Sequence, residues 1–253
     1  MLLAVNVNNT HATFGVYDGA HSVGAWRVRT NPIRTADEYA ALLRSFCAEG
    51  DVPVKSLDQV VIGSVVPTHT PQFVEMAERY LGAGPVVVGP GIKTGVKLLV
   101  ENPREVGADR IANTVAAGRL HGGPAVVVDL GTATNFDVVS AEGDFLGGVI
   151  APGLEISLLA LAERAALLHR VDLVRPKSAI GKNTITNIQA GAVFGWVGLV
   201  EGIVAKIKAE VGPCKVVGTG GLIGVVAPET SVVDVVDRQL TLEGLRLLWE
   251  LNR

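Results

Sequence analysis

The sequence predicts an α/β protein built as two similar halves, each a mixed sheet in which three antiparallel strands are followed by alternating helices and strands. Three observations carry this. An apolar strand, a polar turn, a second strand, an Asp18-Gly19 turn and a third strand fill residues 2–28. The same order recurs over residues 125–152. Asn6, Gly19 and Gly24 match Asp129, Gly143 and Gly148 at offsets of 123, 124 and 124 residues, about half of the 253-residue chain.

The elements follow in order. Residues 2–7 read as a strand ending at Asn8-Asn9, with further strands over 12–17 and 22–28. Thr35 and Glu38 form a capping box that starts a helix running to Ala48 and closed by Gly50. A buried strand at 59–66, a helix at 71–81 and a short strand at 85–88 come next, then a long helix over 104–120. The second half repeats the meander at 126–130, 135–140 and 145–150. Helices at 154–168 and 184–211, strands at 215–218 and 232–235, and a last helix at 241–251 complete it. The expected domains are 1–117 and 118–253, with a cleft between them.

Composition narrows the function. Hydrophobic residues make up 48% of the chain, which excludes wholesale disorder. A formal charge of −3 argues against a nucleic-acid groove or an anionic membrane surface. Cys47 and Cys214 are far apart and neither belongs to a CxxC pair, so two reduced, buried thiols in a cytoplasmic protein are expected. The N-terminal apolar run has no basic residues before it and reads as a strand. The longest uncharged stretch, 183–200, contains Asn, Thr and Gln, which argues against a membrane span.

Four segments hold groups suited to chemistry. The turn Asn6-Val7-Asn8-Asn9-Thr10 offers backbone N–H groups to a phosphate, or is an ordinary hairpin. In Asp129-Leu130-Gly131-Thr132-Ala133-Thr134 an acid at a strand end precedes a Gly and two hydroxyls, an arrangement for a cation beside a phosphate or a capped turn. In the segment 102–110, Asp109 has the chemistry to take a proton and Arg110 to grip a carboxylate, or the two form an internal pair at a helix start. Gly218-Thr219-Gly220-Gly221 lets a ligand lie close to the backbone, or is a plain strand-to-helix turn. The five His residues show no metal-binding spacing, and Trp26, Trp196 and Trp249 read as core or interface residues.

The segments 102–110, 129–137 and 147–154, together with Arg34-Thr35-Ala36-Asp37-Glu38, Ser64-Val65-Val66-Pro67 and Gly181-Lys182-Asn183-Thr184, resemble type III pantothenate kinase. The resemblance covers nearly the whole chain in order. It implies the two-domain sugar-kinase/actin-like architecture and ATP-dependent phosphorylation of the primary hydroxyl of pantothenate, the first step of coenzyme A synthesis. It also implies that Asp109 accepts the proton, and that Gly107, Ala108, Asp109, Arg110 and Thr184 line the pantothenate site. Val100 falls where the family commonly has a Tyr against pantothenate. By the same resemblance, the turn Asn6, Val7, Asn8, Asn9 and Thr10 and the hydroxyl of Thr132 would meet ATP, which carries Mg2+, and Asp129 would hold a monovalent cation, potassium or ammonium. The implied assembly is a homodimer.

The chain departs from the family's pattern in the first turn. The family has an Asp where Asn6 stands and a Gly where Asn8 stands; at position 6 an oxygen is kept and a charge lost, and at position 8 a side chain is added near the phosphates. Two other readings stay open: a silent homologue that acts by binding or regulation, and a phosphohydrolase of the same fold. The segment from Gly107 to Arg110 speaks against the second.

Overall fold

The computed structural model describes residues 1–253. The chain divides into two compact units, residues 1–116 with 239–253, and residues 117–238.

The first unit opens with β1 (Leu2–Val7), β2 (His11–Asp18) and β3 (His21–Arg29), followed by α1 (Ala36–Glu49), β4 (Gln59–Ser64), α2 (Thr70–Met76), β5 (Val86–Val87) and α3 (Ala108–Ala116). The sheet order is β3-β2-β1-β4-β5. β1 pairs antiparallel with β2 and parallel with β4, with Asn6 opposite Gly63 and Val7 opposite Ser64. Every residue of β1 is buried, as expected of a central strand covered on both faces. The period of two splits its side chains. Leu3, Val5 and Val7 pack with Tyr39, Leu43 and Phe73 of α1 and α2. Leu2 and Ala4 face Ala108, Ile111, Ala112 and Val115 of α3. Asn6 continues that second face.

The second unit holds β6 (Ala125–Leu130), β7 (Ala133–Val139), β8 (Phe145–Pro152), α4 (Leu154–Arg164), α5 (Thr184–Val211), β9 (Lys215–Thr219), α6 (Ile223–Val226) and β10 (Val235–Val236). Its order, β10-β9-β6-β7-β8, is the first sheet's order read from the other edge, with β6 antiparallel to β7 and parallel to β9. The repeat read from the sequence is therefore a repeat of topology. Val126, Val128 and Leu130 pack against Val197, Val200 and Val204 of α5. The composition of α5 would also suit a membrane span: its mean hydropathy reaches 1.6, and 39% of that window is buried inside the protein.

Several expectations are corrected. The last helix, α7 (Leu240–Asn252), was expected in the second half; instead its Leu242, Leu245 and Leu248 complete the first unit's core against α3 and β1. Close approach secures it, because a Cβ on Gly244 would stand 2.0 Å from the Ala112 carbonyl oxygen. Asn252 adds two hydrogen bonds to the backbone of Lys93, at 2.9 and 2.8 Å. The helix expected over 104–120 is broken. An Asn102-capped 3-10 turn (Pro103–Glu105) ends at Val106, α3 starts at Ala108, and the chain continues as a π-helical turn from Ala117 to His121. The helix expected to reach Leu168 stops at Arg164, and residues 165–183 have no regular structure. The strand expected at 232–235 is instead β10 (Val235–Val236); just before it the Asp234 carboxylate accepts the Val216 N–H at 2.7 Å, and the Asp234 N–H donates to the Val216 carbonyl at 2.9 Å. Cys47 is buried as expected, but Cys214 is only half-buried.

Candidate active site

In open α/β sheets, ligands bind at the carboxyl ends of parallel strands. In the first unit that end belongs to β1 and β4. The Val65 N–H donates to the Val7 carbonyl at 3.0 Å, continuing the pairing past Ser64. A Cβ on Gly107 would stand 3.1 Å from Val65 Cγ1 and 2.6 Å from Asp109 Oδ1. The break at Gly107 thus sets Asp109, in the first turn of α3, beside the end of β4. Asn6 shares the sheet face that α3 covers. The structure brings together Asn6, Val7, Gly107, Ala108 and Asp109 of the predicted site residues.

Asp109 Oδ1 accepts the Arg110 N–H at 2.8 Å. Burial pushes the Asp109 carboxyl above its ordinary value, against the pull of that N–H and of the Arg110 guanidinium. A carboxylate raised this way is a better proton acceptor near neutral pH. Arg110 is half-buried next to it.

The first turn is closed by its own backbone. The Asn8 N–H donates to the His11 carbonyl at 2.9 Å, and the Thr30 hydroxyl donates to the Asn8 carbonyl at 2.7 Å. That N–H is therefore spent within the turn and is not one of those the turn can offer to a phosphate. Asp51 is the one non-glycine residue with positive φ, so Asn8 needs no left-handed backbone. The side chains differ from the backbone: Oδ1 of Asn6 and Oδ1 of Asn8 are both buried with no hydrogen-bond donor. Asn9 is exposed, and the Thr10 carbonyl accepts the Thr30 N–H at 3.0 Å. Val100 lies half-buried in the irregular stretch before Asn102.

The second unit holds Asp129 and Thr132. Asp129, the last residue but one of β6, lies opposite Asn135 of β7 and Thr219 of β9. Residues opposite each other in an antiparallel pair project to one side, so the Asp129 carboxylate and the buried, donor-less Asn135 Oδ1 stand together. Two glycines make this turn possible. Gly220, at φ +91°, would put a Cβ 2.5 Å from Asp129 Oδ1, and Gly153 would put one 2.0 Å from the Thr132 carbonyl oxygen. Asn135, Gly153 and Gly220 had no individual role in the sequence reading, although all three fall in motifs singled out there; their signal was the Gly and Asx content of those turns. An oxygen-rich pocket of this kind suits a hard cation.

Thr184 is the first residue of α5, inside the capping box that Asn183 and Thr186 form. With Ser157, Leu161, Asn187 and Trp196 it lines a cavity of about 470 Å3 between α4 and α5. The Trp196 indole N–H donates to the Thr134 hydroxyl at 3.0 Å, tying α5 to the turn that carries Thr132.

The family model described as type III pantothenate kinase matches residues 2–206. The type III pantothenate kinase of Moorella thermoacetica is 51% identical over 253 residues, covering all of both chains. Among solved structures, an inorganic polyphosphate/ATP-glucomannokinase from Arthrobacter sp. strain KM aligns with 99% of this chain and 98% of its own at TM-score 0.51 and 15% identity. A ROK hexokinase from Thermus thermophilus aligns over 98% and 97% at TM-score 0.51 and 18% identity. At such identities the structures speak for the fold, which is that of the sugar-kinase/actin-like proteins. The family match and the full-length identity speak for more, and the chain belongs to the type III pantothenate kinase family.

Proposed function

We propose that Asp109 is the proton acceptor of this enzyme, a kinase that phosphorylates pantothenate with ATP at the entry to coenzyme A synthesis. One observation supports that role above the others: a half-buried carboxylate, shifted upward by its surroundings and set beside the end of the parallel β1–β4 pair. In the reaction the primary hydroxyl oxygen of pantothenate bonds to the γ-phosphorus, the bond from that phosphorus to the ADP oxygen breaks, and Asp109 receives the hydroxyl proton. Such transfers need in-line positioning and charge neutralisation more than covalent help from the protein.

The remaining roles belong to the same reading. Arg110 grips the pantothenate carboxylate, and Gly107, Ala108, Val100 and Thr184 line the pantothenate site. The turn from Asn6 through Val7, Asn8 and Asn9 to Thr10 meets ATP, as does Thr132. Kinases of this family use ATP with a divalent metal. The unsatisfied oxygens of Asn6 and Asn8 suit the surroundings of that metal, which neutralises charge on the phosphates. Asp129, with Asn135, holds a monovalent cation, potassium or ammonium. The assembly is a homodimer and its place the cytoplasm; exposed Ile156, Leu159 and Leu161 on α4 offer the apolar surface that a second copy would cover. Sedimentation at several concentrations tests the dimer.

A coupled assay with pantothenate, ATP, magnesium and potassium tests the whole reading. Turnover that depends on all four supports it. The missing acid at Asn6 favours a second reading, a silent homologue that binds its ligands without transfer. Calorimetric binding of ATP and pantothenate without turnover would select that one.

A further inference from the structure

Thr134 opens the row of β7 side chains that faces α5. Phe136 and Val138, the next two in that row, lie in the second unit's apolar core with Val197 and Val200 of α5. Thr134 itself is 1% exposed. Its hydroxyl is thus a polar group inside an apolar layer, which costs stability unless it is bonded. The bond comes from α5, where the Trp196 indole N–H donates to that hydroxyl at 3.0 Å. An indole nitrogen only donates, so the direction is fixed. Trp196 is half-buried and lines the cavity between α4 and α5.

Successive residues of a strand project to opposite faces. Whatever holds Thr134 toward α5 therefore holds Asn135 away from it, on the side where Asn135 lies opposite Asp129. In the other direction along the chain, the Ala133 carbonyl accepts the Gly131 N–H at 3.0 Å and closes the turn that carries Thr132. The residue before α4 presses on that turn from outside, since a Cβ on Gly153 would stand 2.9 Å from the Gly131 carbonyl oxygen. We propose that Trp196 is a positioning residue for this turn: its bond to Thr134 sets the Asn135 amide against the Asp129 carboxylate and fixes the reach of the Thr132 hydroxyl. The proposal rests on the reading of Asp129 and Thr132 as groups that meet a cation and ATP.

The test measures potassium and ATP requirements in steady-state kinetics, with a pantothenate titration as control. Trp196→Phe keeps a ring and removes the donor. It should raise the potassium concentration for half-maximal rate and the KM for ATP by about five- to tenfold, with the KM for pantothenate within about twofold of the parent. Thr134→Val should do the same, and Thr134→Ser should stay near the parent. The double variant should be no worse than either single, because the same bond is lost in all three. Thr134→Val, close in shape to the parent, keeps the test usable if Trp196→Phe does not fold. Emission gives a second readout that needs no turnover, because Trp196 is the one tryptophan of residues 117–238. Adding potassium and then magnesium–ATP should change the parent's indole emission, and the change should be lost in Trp196→Phe. Variants with the parent's potassium and ATP requirements would overturn the proposal. An equal rise in the KM for pantothenate would mark a merely structural loss and overturn it as well. A parent whose rate and emission both ignore potassium and ATP would remove the reading of the turn itself, and the positioning role with it.

Discussion

Asp109 Oδ1 lies 2.6 Å from the point where a Cβ on Gly107 would stand, so the glycine is the clearance that lets the carboxylate fold back against its own helix start. Gly107→Ala should therefore move the carboxylate. Turnover should fall by about 100-fold, because small displacements at a reacting group are costly. The thermal midpoint should change little, since Gly107 lies outside the core. Steady-state kinetics with a parallel melt check this; an unchanged kcat would show that the carboxylate tolerates the displacement.

Asp109→Asn removes the proton acceptor and should lower kcat by about 100-fold or more. It should also raise stability. The folded carboxyl is shifted up by burial, so the folded state favours its protonated form. That contribution is present below the unfolded value and is lost as pH rises through the folded one, leaving a partly desolvated charge that costs some stability at neutral pH. The Asn variant should melt higher than the parent at neutral pH, by ~2–4 °C per kcal/mol regained, and the gain should vanish in acid. A lower midpoint at neutral pH would contradict the burial argument.

Gly220→Ala puts a methyl 2.5 Å from Asp129 Oδ1 and forces an alanine into a left-handed backbone at φ +91°. If Asp129 holds potassium, the variant should need a higher potassium concentration for half-maximal rate. Replacing potassium by a bulky organic cation should abolish activity in the parent. A parent rate indifferent to the cation would remove this role from Asp129.

The double change Asn6→Asp with Asn8→Gly should strengthen binding of magnesium–ATP or raise turnover, a tenfold gain in kcat/KM corresponding to about 1.4 kcal/mol. Most of the gain should come from the new charge at position 6. Asn8 already has ordinary backbone geometry, so its glycine variant gains space and no relief of strain. The two singles compared with the double separate these contributions, which need not add. A double variant no better than the parent would mean that the neutral turn serves another phosphate donor, or that transfer is limited elsewhere.

Gly244→Ala tests the packing of the first unit. Its methyl would meet the Ala112 carbonyl oxygen at 2.0 Å, and neither helix backbone yields easily. Destabilisation of about 1–3 kcal/mol or more is expected in a denaturant titration.

Much of the fold was legible in local pattern. The two meanders, the Thr35–Glu38 box and the buried strands each depend on neighbours within a few residues. The position of α7 was not, because its partners Ala112 and Lys93 are more than a hundred residues away in sequence. The false join of 104 to 120 came from a helical apolar period that continues across Val106-Gly107, where the chain in fact turns. Within the site, Asp109 and Asp129 were readable as acids at element ends. Asn135 was not readable as a separate ligand, since its use comes only from the register that sets it opposite Asp129. The unpaired oxygens of Asn6 and Asn8 were likewise invisible until the backbone of the turn had claimed its own partners.

The return of α7 to the first unit orders the events of biosynthesis. A chain that leaves the ribosome from its N-terminus usually folds its leading domain first. Here residues 1–116 emerge with Leu2, Ala4 and the inner side of α3 still lacking Leu242, Leu245 and Leu248. Residues 117–238 have all their strands while the final fifteen or so are still in the exit tunnel. The unit made first is thus the one finished last, and a chain cut after Arg238 would carry a complete second unit and a first unit whose apolar face is open to chaperones.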